Sequence, residues 1–247
     1  MNLILVEPMA IAAVSASAGT GAANLATLDP KERWSAASST NPVTIDIDLG
    51  MPRAFDTVGF VDTIYLAGIA LDGGAAHDVP LLANTPLGVT GAPPTGRGHF
   101  VKRLPAVTVQ QHLRVTFTPS GAVPSAGRII VGRAVETTHD QEYDGGRRPG
   151  STGTAERLRG GGFGIQRGAS FATVSWTWGD LSDAELAAIW AVTQGVGGEL
   201  PLLVAENAEA DSYFARGVCY GRFSRFERYN RREGAKSRWA FELEQWV

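Results

Sequence analysis

The chain has 247 residues, 44% of them hydrophobic and 19% charged, with 30 glycines and 13 prolines. That is long enough to bury one large core or two ordinary ones, and glycine and proline set between short apolar runs favour an all-β protein. A net charge of −3 excludes a global polyanion-binding surface, and a lone cysteine, Cys219, excludes an internal disulfide or a cysteine metal centre.

The first residues, MNLILVEPMAIAAVSASAG, lack a basic start and are broken at Glu7-Pro8. They read as two short strands, since the apolar stretch of a secretory leader is continuous. No apolar run reaches the roughly 18 residues that would span a membrane, so no membrane insertion is expected. Trp34 follows DPKER and precedes the polar SAASSTNP. It suits either an exposed platform for a sugar ring or a plug at the end of a sandwich.

Period-two alternation places one set of side chains on each face of a strand. In TIDIDLG, Ile45, Ile47 and Leu49 face one way, and Thr44, Asp46 and Asp48 the other. Residues 56–73 supply two more strands. In VTVQQHLRVTF, Val107, Val109, Leu113, Val115 and Phe117 form an apolar face, and GRIIVGRAV (127–135) is a further strand. Strands of this spacing with turn-rich links and no helices suggest an antiparallel sandwich.

One helix is well signalled. Ser182 as N-cap and Glu185 three residues on form a capping box, and Leu186, Ile189, Trp190 and Thr193 make one helical stripe. The helix is predicted over 183–194, with Gly195 ending it. Strands flank it at 170–178, 200–206, 215–229 and 236–247, with a bulge or bend expected at Gly221. The fold class is therefore mainly β: an N-terminal antiparallel β-sandwich over 1–132, and a C-terminal β-barrel or sandwich over 133–247 carrying one short α-helix.

Within the second part lies GGRRPGSTGTAERLRGGGFG, 145–164. It lacks the lysine and the following helix of a phosphate-binding loop. A segment this long inside a compact domain is usually functional or disordered. The glycine- and arginine-rich stretch 144–168 is expected either as an inter-subunit arm, with Arg147, Arg148, Arg157 and Arg159 reaching a neighbour's carboxylates, or as a solvated hairpin loop. Residues 145–168 hold 5 basic and 1 acidic residue, and residues 169–212 hold 0 and 7. Such blocks suit complementary surfaces between subunits or neutralisation within the fold.

No catalytic constellation is found. There is no GxSxG nucleophile elbow. His77, His99, His112 and His139 are scattered, and Asp46/Asp48 and Glu242/Glu244 read as solvated faces. No enzyme activity, cofactor or metal is expected.

The order RIIVGRAVE, YDGGRRPG…ERLRGGGFG, FATVSWTWGDLSDAELAAIWAV, GGELPLLVAEN, CYGRFSRFERYN and RWAFELEQWV, covering 128–247, resembles a distal-tail or minor-tail (baseplate) protein of tailed bacteriophages. LATLDPKERWSAASSTNPVTIDIDLG followed by AFDTVGFVDT resembles a discoidin-type, galactose-binding-like sandwich. The resemblance implies a structural virion component, made in the host cytoplasm and located at the phage tail tip. It would form a homo-oligomeric ring, trimeric or hexameric, that links the tail tube to other tail or baseplate proteins, with accessory contact to host surface polysaccharide and none to nucleic acid. The alternative is a stand-alone carbohydrate-binding module using Arg33, Trp34 and Tyr65; a glycan hydrolase is the remaining class.

Overall fold

The computed structural model describes residues 3–64, 66–86, 97–119, 121–139, 142, 145–206, 217–232, 234 and 236–246. In chain order the strands of the first half are β1 (Leu3–Pro8), β2 (Ala13–Ala16), β3 (Trp34–Ser35), β4 (Val43–Ile64), β5 (Leu66–Gly73), β6 (Val79–Pro86), β7 (Arg97–Pro119), β8 (Ser125–Ala126) and β9 (Arg128–Glu136). The second half follows with β10 (Gly146–Ser151), β11 (Thr154–Arg157), β12 (Phe163–Gln166), β13 (Ser170–Leu181), helix α1 (Asp183–Val196), β14 (Leu202–Glu206), β15 (Val218–Phe226), β16 (Asn230–Arg231) and β17 (Ser237–Gln245). The protein is mainly β with one α-helix, as the periodicity implies. Among the described residues no helix is long and apolar enough to cross a membrane.

The main path of the sheet runs β10-β13-β17-β15-β14-β1-β9-β4-β7-β5-β6, and β11 pairs only with β12. β4 and β7 are antiparallel partners along most of their length, with register shifts at 48/53, 55/57 and 60/63. Such bulges bend a strand and raise its twist. They let the first part of β4 pair with β2 and its second part with β9.

The alternation in TIDIDLG is realised: Ile45, Ile47 and Leu49 are buried. They join Trp34, Phe55, Phe60, Phe100, Leu113, Val115 and Phe117 in the first core. Val107 and Val109 do not, remaining 49% and 59% exposed. Val109 pairs with Ala54, beyond the register shift between Asp48 and Arg53, and Val107 falls in the next shift, between Phe55 and Thr57, so the apolar face continues past the part of the core that could cover it.

β1 shows why a continuous apolar run differs from an alternating one. Leu3, Ile4, Leu5 and Val6 are all buried, with Leu3 and Leu5 in the second core and Ile4 and Val6 in a joint between the cores. A strand buried on both faces belongs at the centre of a sheet, and β1 lies between β14 and β9. The boundary drawn at 132–133 falls inside β9.

Helix α1 starts as expected. Ser182 and Glu185 form both hydrogen bonds of the capping box. It ends later than expected, at Val196 with Gly197 as the cap. Gly195 lies within it, where a side chain would stand 2.6 Å from the Glu7 carboxylate of β1. The expected bulge at Gly221 is displaced as well. The register shift in β15 lies between Phe223 and Arg225, whereas Gly221 permits a close approach, its missing Cβ falling 2.2 Å from the Glu244 carbonyl.

The halves are joined through Arg128 of β9, which is buried without a carboxylate partner among the described residues. It donates to the Tyr220 hydroxyl and lies 5.3 Å from that ring's centroid. The Tyr220 hydroxyl in turn donates to the Leu28 carbonyl at 3.0 Å. Burial pushes the Tyr220 phenol up to about 12 and the Arg128 guanidinium below its ordinary value.

Candidate functional site

The segment 145–168 divides in two. Its first part is β10, which pairs with β13 from Gly146↔Ser175 to Ser151↔Ser170 and so belongs to the main sheet. Its second part is a separate hairpin, Thr154↔Gln166 to Arg157↔Phe163. The neck is tight: a Cβ on Gly168 would lie 2.1 Å from the Gly153 nitrogen. Thr152 and Ala169 fasten it, with Thr152 N–H donating to the Ala169 carbonyl at 3.0 Å and Ala169 N–H to the Thr152 hydroxyl at 2.9 Å. At the tip, Leu158 N–H donates to the Gly162 carbonyl at 2.8 Å.

Beyond this neck the hairpin is exposed along its length, including Leu158 at 55%, Phe163 at 63% and Ile165 at 73%. The pairing puts Ala155, Arg157, Phe163 and Ile165 on one face, since directly opposed residues share a side.

The four arginines of this stretch separate accordingly. Arg148 donates to Glu242 at 2.7 Å and Arg147 lies 3.6 Å from Glu206, both within the chain. Arg157 and Arg159 are carried outward on the exposed hairpin. Of the two opposed charge blocks, Arg147–Glu206 joins one to the other, while Asp183 and Asp180 of the acidic block meet Arg231 at 3.6 Å and Lys236 at 3.9 Å, both in the C-terminal segment. The carboxylate pairs on single strands have cationic partners too: Asp46 takes Arg114 at 2.6 Å and Glu244 takes Arg222 at 3.3 Å.

The three residues considered for a sugar site are placed differently. Trp34 is fully buried, its ring stacked 5.6 Å from Phe117 and its indole N–H donating to the Ala18 carbonyl at 3.2 Å. It fills the position of a core plug and presents no open face. Its neighbour Arg33 is paired with Asp62. Tyr65 lies outside the described residues. Close by, His99 accepts the Asp62 N–H at 3.1 Å, and burial pushes its imidazole down to about 4.

Exposed rings occur instead at the rim of the second core. Trp190, Tyr229 and Phe226 are 43%, 40% and 42% exposed. Trp190 stacks on buried Trp239 at 5.4 Å, with Tyr229 edge-on at 6.1 Å, and Phe226 meets buried Phe241 at 6.4 Å. The helical stripe read from sequence included Trp190 as a packed residue. In the fold Leu186, Ile189, Val192, Thr193 and Val196 face inward and Trp190 falls on the border.

A groove of about 800 Å³ runs beside α1, lined by Glu7, Met9, Arg53, Arg133, Ala188 and Val192 among others. It holds no aromatic ring, and burial raises the Glu7 carboxyl. Cys219 is buried, its thiol pushed up to about 12 by desolvation, which makes it a poor nucleophile. Among the described residues no cluster of His, Cys, Asp or Glu is placed to hold a metal ion.

No protein-family model and no curated protein sequence matches this chain. Among solved structures, the chain is similar to SpGH29 at 20% identity and TM-score 0.41, covering 51% of this chain and 28% of that one. A chitosan-binding module of a Paenibacillus sp. IK-5 chitosanase/glucanase gives 17% identity and TM-score 0.40, covering 51% and 98%. The family 32 carbohydrate-binding module of Clostridium perfringens NanJ, in complex with galactose, gives 13% and 0.41, covering 52% and 98%. None of these matches decides a site.

Proposed function

We propose that this chain is a non-catalytic structural subunit that works by docking to its neighbours through the 154–166 hairpin. The observation that carries this reading is the exposure of Leu158, Phe163 and Ile165 on a hairpin without its own core. An isolated two-stranded hairpin is at best marginally stable in water, and an uncovered apolar strand edge is an association hazard that proteins manage by covering it. A partner surface would supply the missing third layer. Arg157 and Arg159 would add charge-assisted contacts to carboxylates there. A ring-forming tail-tip or baseplate component of a tailed-phage virion, which the order of the second half resembles, is the assembly this build suits best.

The test is the mass of the purified chain by light scattering across a concentration series. The parent should form a defined oligomer. Phe163→Ser with Ile165→Ser should return it to monomer while circular dichroism stays unchanged. A variant that assembles with the parent's affinity would overturn the reading, as would a parent that stays monomeric throughout.

The second reading is carbohydrate binding. It is favoured by the half-exposed rings Trp190, Tyr229 and Phe226 rather than by Trp34, whose ring is enclosed.

A further inference from the structure

The two ends of the main sheet's path are guarded against a further strand. β10 carries Pro149 and β6 carries Pro80, and a proline at an edge withholds the N–H that an incoming strand would need. β12 of the hairpin has no such guard. Its residues Phe163, Gly164, Ile165 and Gln166 include no proline and no charge, and they pair with β11 without a register shift. Among the described residues nothing pairs with the other edge of β12.

The hairpin's own hydrogen bonds fix what that edge presents. Leu158 N–H donates to the Gly162 carbonyl, which makes 158/162 a hydrogen-bonded pair. Such pairs alternate along an antiparallel ladder, so 156/164 and 154/166 are also bonded across the hairpin. The N–H and C=O groups of Phe163 and Ile165 therefore point away from β11, on residues 63% and 73% exposed. One register lets a second β12 meet all of these groups. Phe163 stands opposite Ile165 of the second copy, Ile165 opposite its Phe163, and Gly164 opposite Gly164 on a two-fold axis. The next registers on either side draw on Gly161 of the tip or Arg167 of the neck instead. The Gly164 register also sets two aromatic–β-branched pairs on one face, a favourable cross-strand combination. β11 is the poorer edge. A two-fold pairing there would set Glu156 directly against Glu156 of the second copy, where like charges repel. Net charge does not draw the copies together, since the hairpin carries Arg157, Arg159 and Arg167 against Glu156. At β12 these charges lie off the seam, on the outer strand, at the tip and at the neck.

We propose that β12 is the docking edge of the hairpin and that its partner is β12 of a second copy, joined antiparallel about Gly164 into a four-stranded sheet β11-β12-β12-β11. This rests on the docking reading above and names its occupant. The added strands give the hairpin the three or more that independent stability needs. A two-fold contact closes on two copies, so a pair of chains is the smallest assembly it makes.

Variants of the full chain aimed at the backbone test it, read by light scattering over a concentration series. Ile165→Pro keeps an apolar side chain and removes an N–H that the hairpin itself does not use. It should raise the dissociation constant of the pair by roughly tenfold or more. Ala155→Pro makes the same change on β11 and should leave assembly as in the parent. Gly164→Cys serves if a proline disturbs the hairpin. A Cβ has room there, its nearest neighbour lying 3.5 Å away. Directly opposed, non-bonded residues stand ~4.5 Å apart at Cα, within disulfide range, so mild oxidation should yield a covalent dimer. Glu156→Cys, on the same face of the outer strand, should not cross-link. Assembly unchanged in Ile165→Pro, an equal loss in Ala155→Pro, or a Gly164→Cys chain that cross-links no faster than Glu156→Cys overturns the β12 seam. Docking by the hairpin would still stand if Phe163→Ser with Ile165→Ser abolished assembly. A parent that stays monomeric throughout overturns both.

Discussion

The two halves of this molecule spend their aromatic residues differently. In the first, Trp34, Phe60, Phe100 and Phe117 form a closed stack inside the sandwich, each at most 2% exposed. In the second, Trp239 and Phe241 are as deeply buried, but three rings beyond them are left half in water. The first half keeps its aromatic rings covered while leaving aliphatic side chains such as Met51, Val107 and Val109 exposed, and the second displays rings and, on the hairpin, apolar residues that the described residues do not cover. Exposed apolar surface of that kind marks sites of interaction, and the proposed docking reading places one of them on the hairpin of the second half.

The sharpest way to break this comparison is Trp34→Ala. The ring stacks on Phe117 with its N–H satisfied, so its removal should cost roughly 3–5 kcal/mol, as for other buried aromatics. Urea denaturation measures it. A variant that unfolds at the parent's midpoint would mean that the first half is not sealed at this end.

Acid should loosen the halves in different windows. His99 is held near pKa 4 by burial, against an ordinary value of 6.5. Below pH 6.5 the unfolded chain takes up a proton that the folded chain refuses until about pH 4. Stability is therefore full above 6.5 and falls through that interval by about 3 kcal/mol. In the second half, burial would raise the Glu185 carboxyl, but hydrogen bonds from Ser182 and Thr138 hold it at about 2. That contribution is intact above pH 4.5 and is lost only as pH falls through about 2. The urea midpoint should thus drop between pH 7 and 5, and His99→Gln should flatten the drop. A midpoint that is level over this range, or a slope the substitution leaves alone, would remove His99 as the cause.

Much of the fold was legible because alternation and capping are local. Ile45, Ile47 and Leu49 declare a buried face within seven residues, and Ser182 with Glu185 declares a helix start within four. What was not legible depended on partners distant in sequence. Arg148 finds Glu242, 94 residues away, so an arginine expected to reach a neighbour is paired at home. Nothing near Trp34 announces the Phe117 ring beneath it, so the local sequence favoured a plug only on the general ground that tryptophans of a β-rich chain are more often core, and left the platform open. Trp190 matched a helical stripe, yet the register of α1 on the sheet left it at the border. The rim and the bare hairpin face are tertiary facts, visible only once the cover that does not exist can be seen to be missing.

The seam between the halves should respond to a smaller change. Tyr220→Phe keeps the ring beside Arg128 but removes the hydroxyl that accepts from the guanidinium and donates to Leu28. A buried cation left without that acceptor should cost about 1–3 kcal/mol. Because the lost contacts join β9, β15 and the loop at Leu28, the two halves should also begin to unfold at separate midpoints. A single transition at the parent's position would show that β1, and not this polar junction, couples them.

The smallest expected effect on the fold is at the hairpin, and its smallness is what makes it informative. Phe163 and Ile165 lie beyond a neck closed by Thr152 and Ala169, and neither belongs to any of the three buried clusters. Changing both to serine removes no cavity-lining atom and leaves no polar group unpaired. Exposed substitutions of this sort usually shift stability by no more than about 0.5 kcal/mol. The denaturation curve of the double variant should overlay that of the parent when both are measured dilute. At concentrations where the parent has assembled, the curves should separate, since a partner bound only to the folded state raises apparent stability by mass action. The parent's midpoint should climb with concentration while the variant's stays fixed. A double variant destabilised by more than about 1 kcal/mol in dilute solution would place these side chains in a core of their own chain, and the contrast between the covered rings of the first half and the open hairpin of the second would fail at the hairpin.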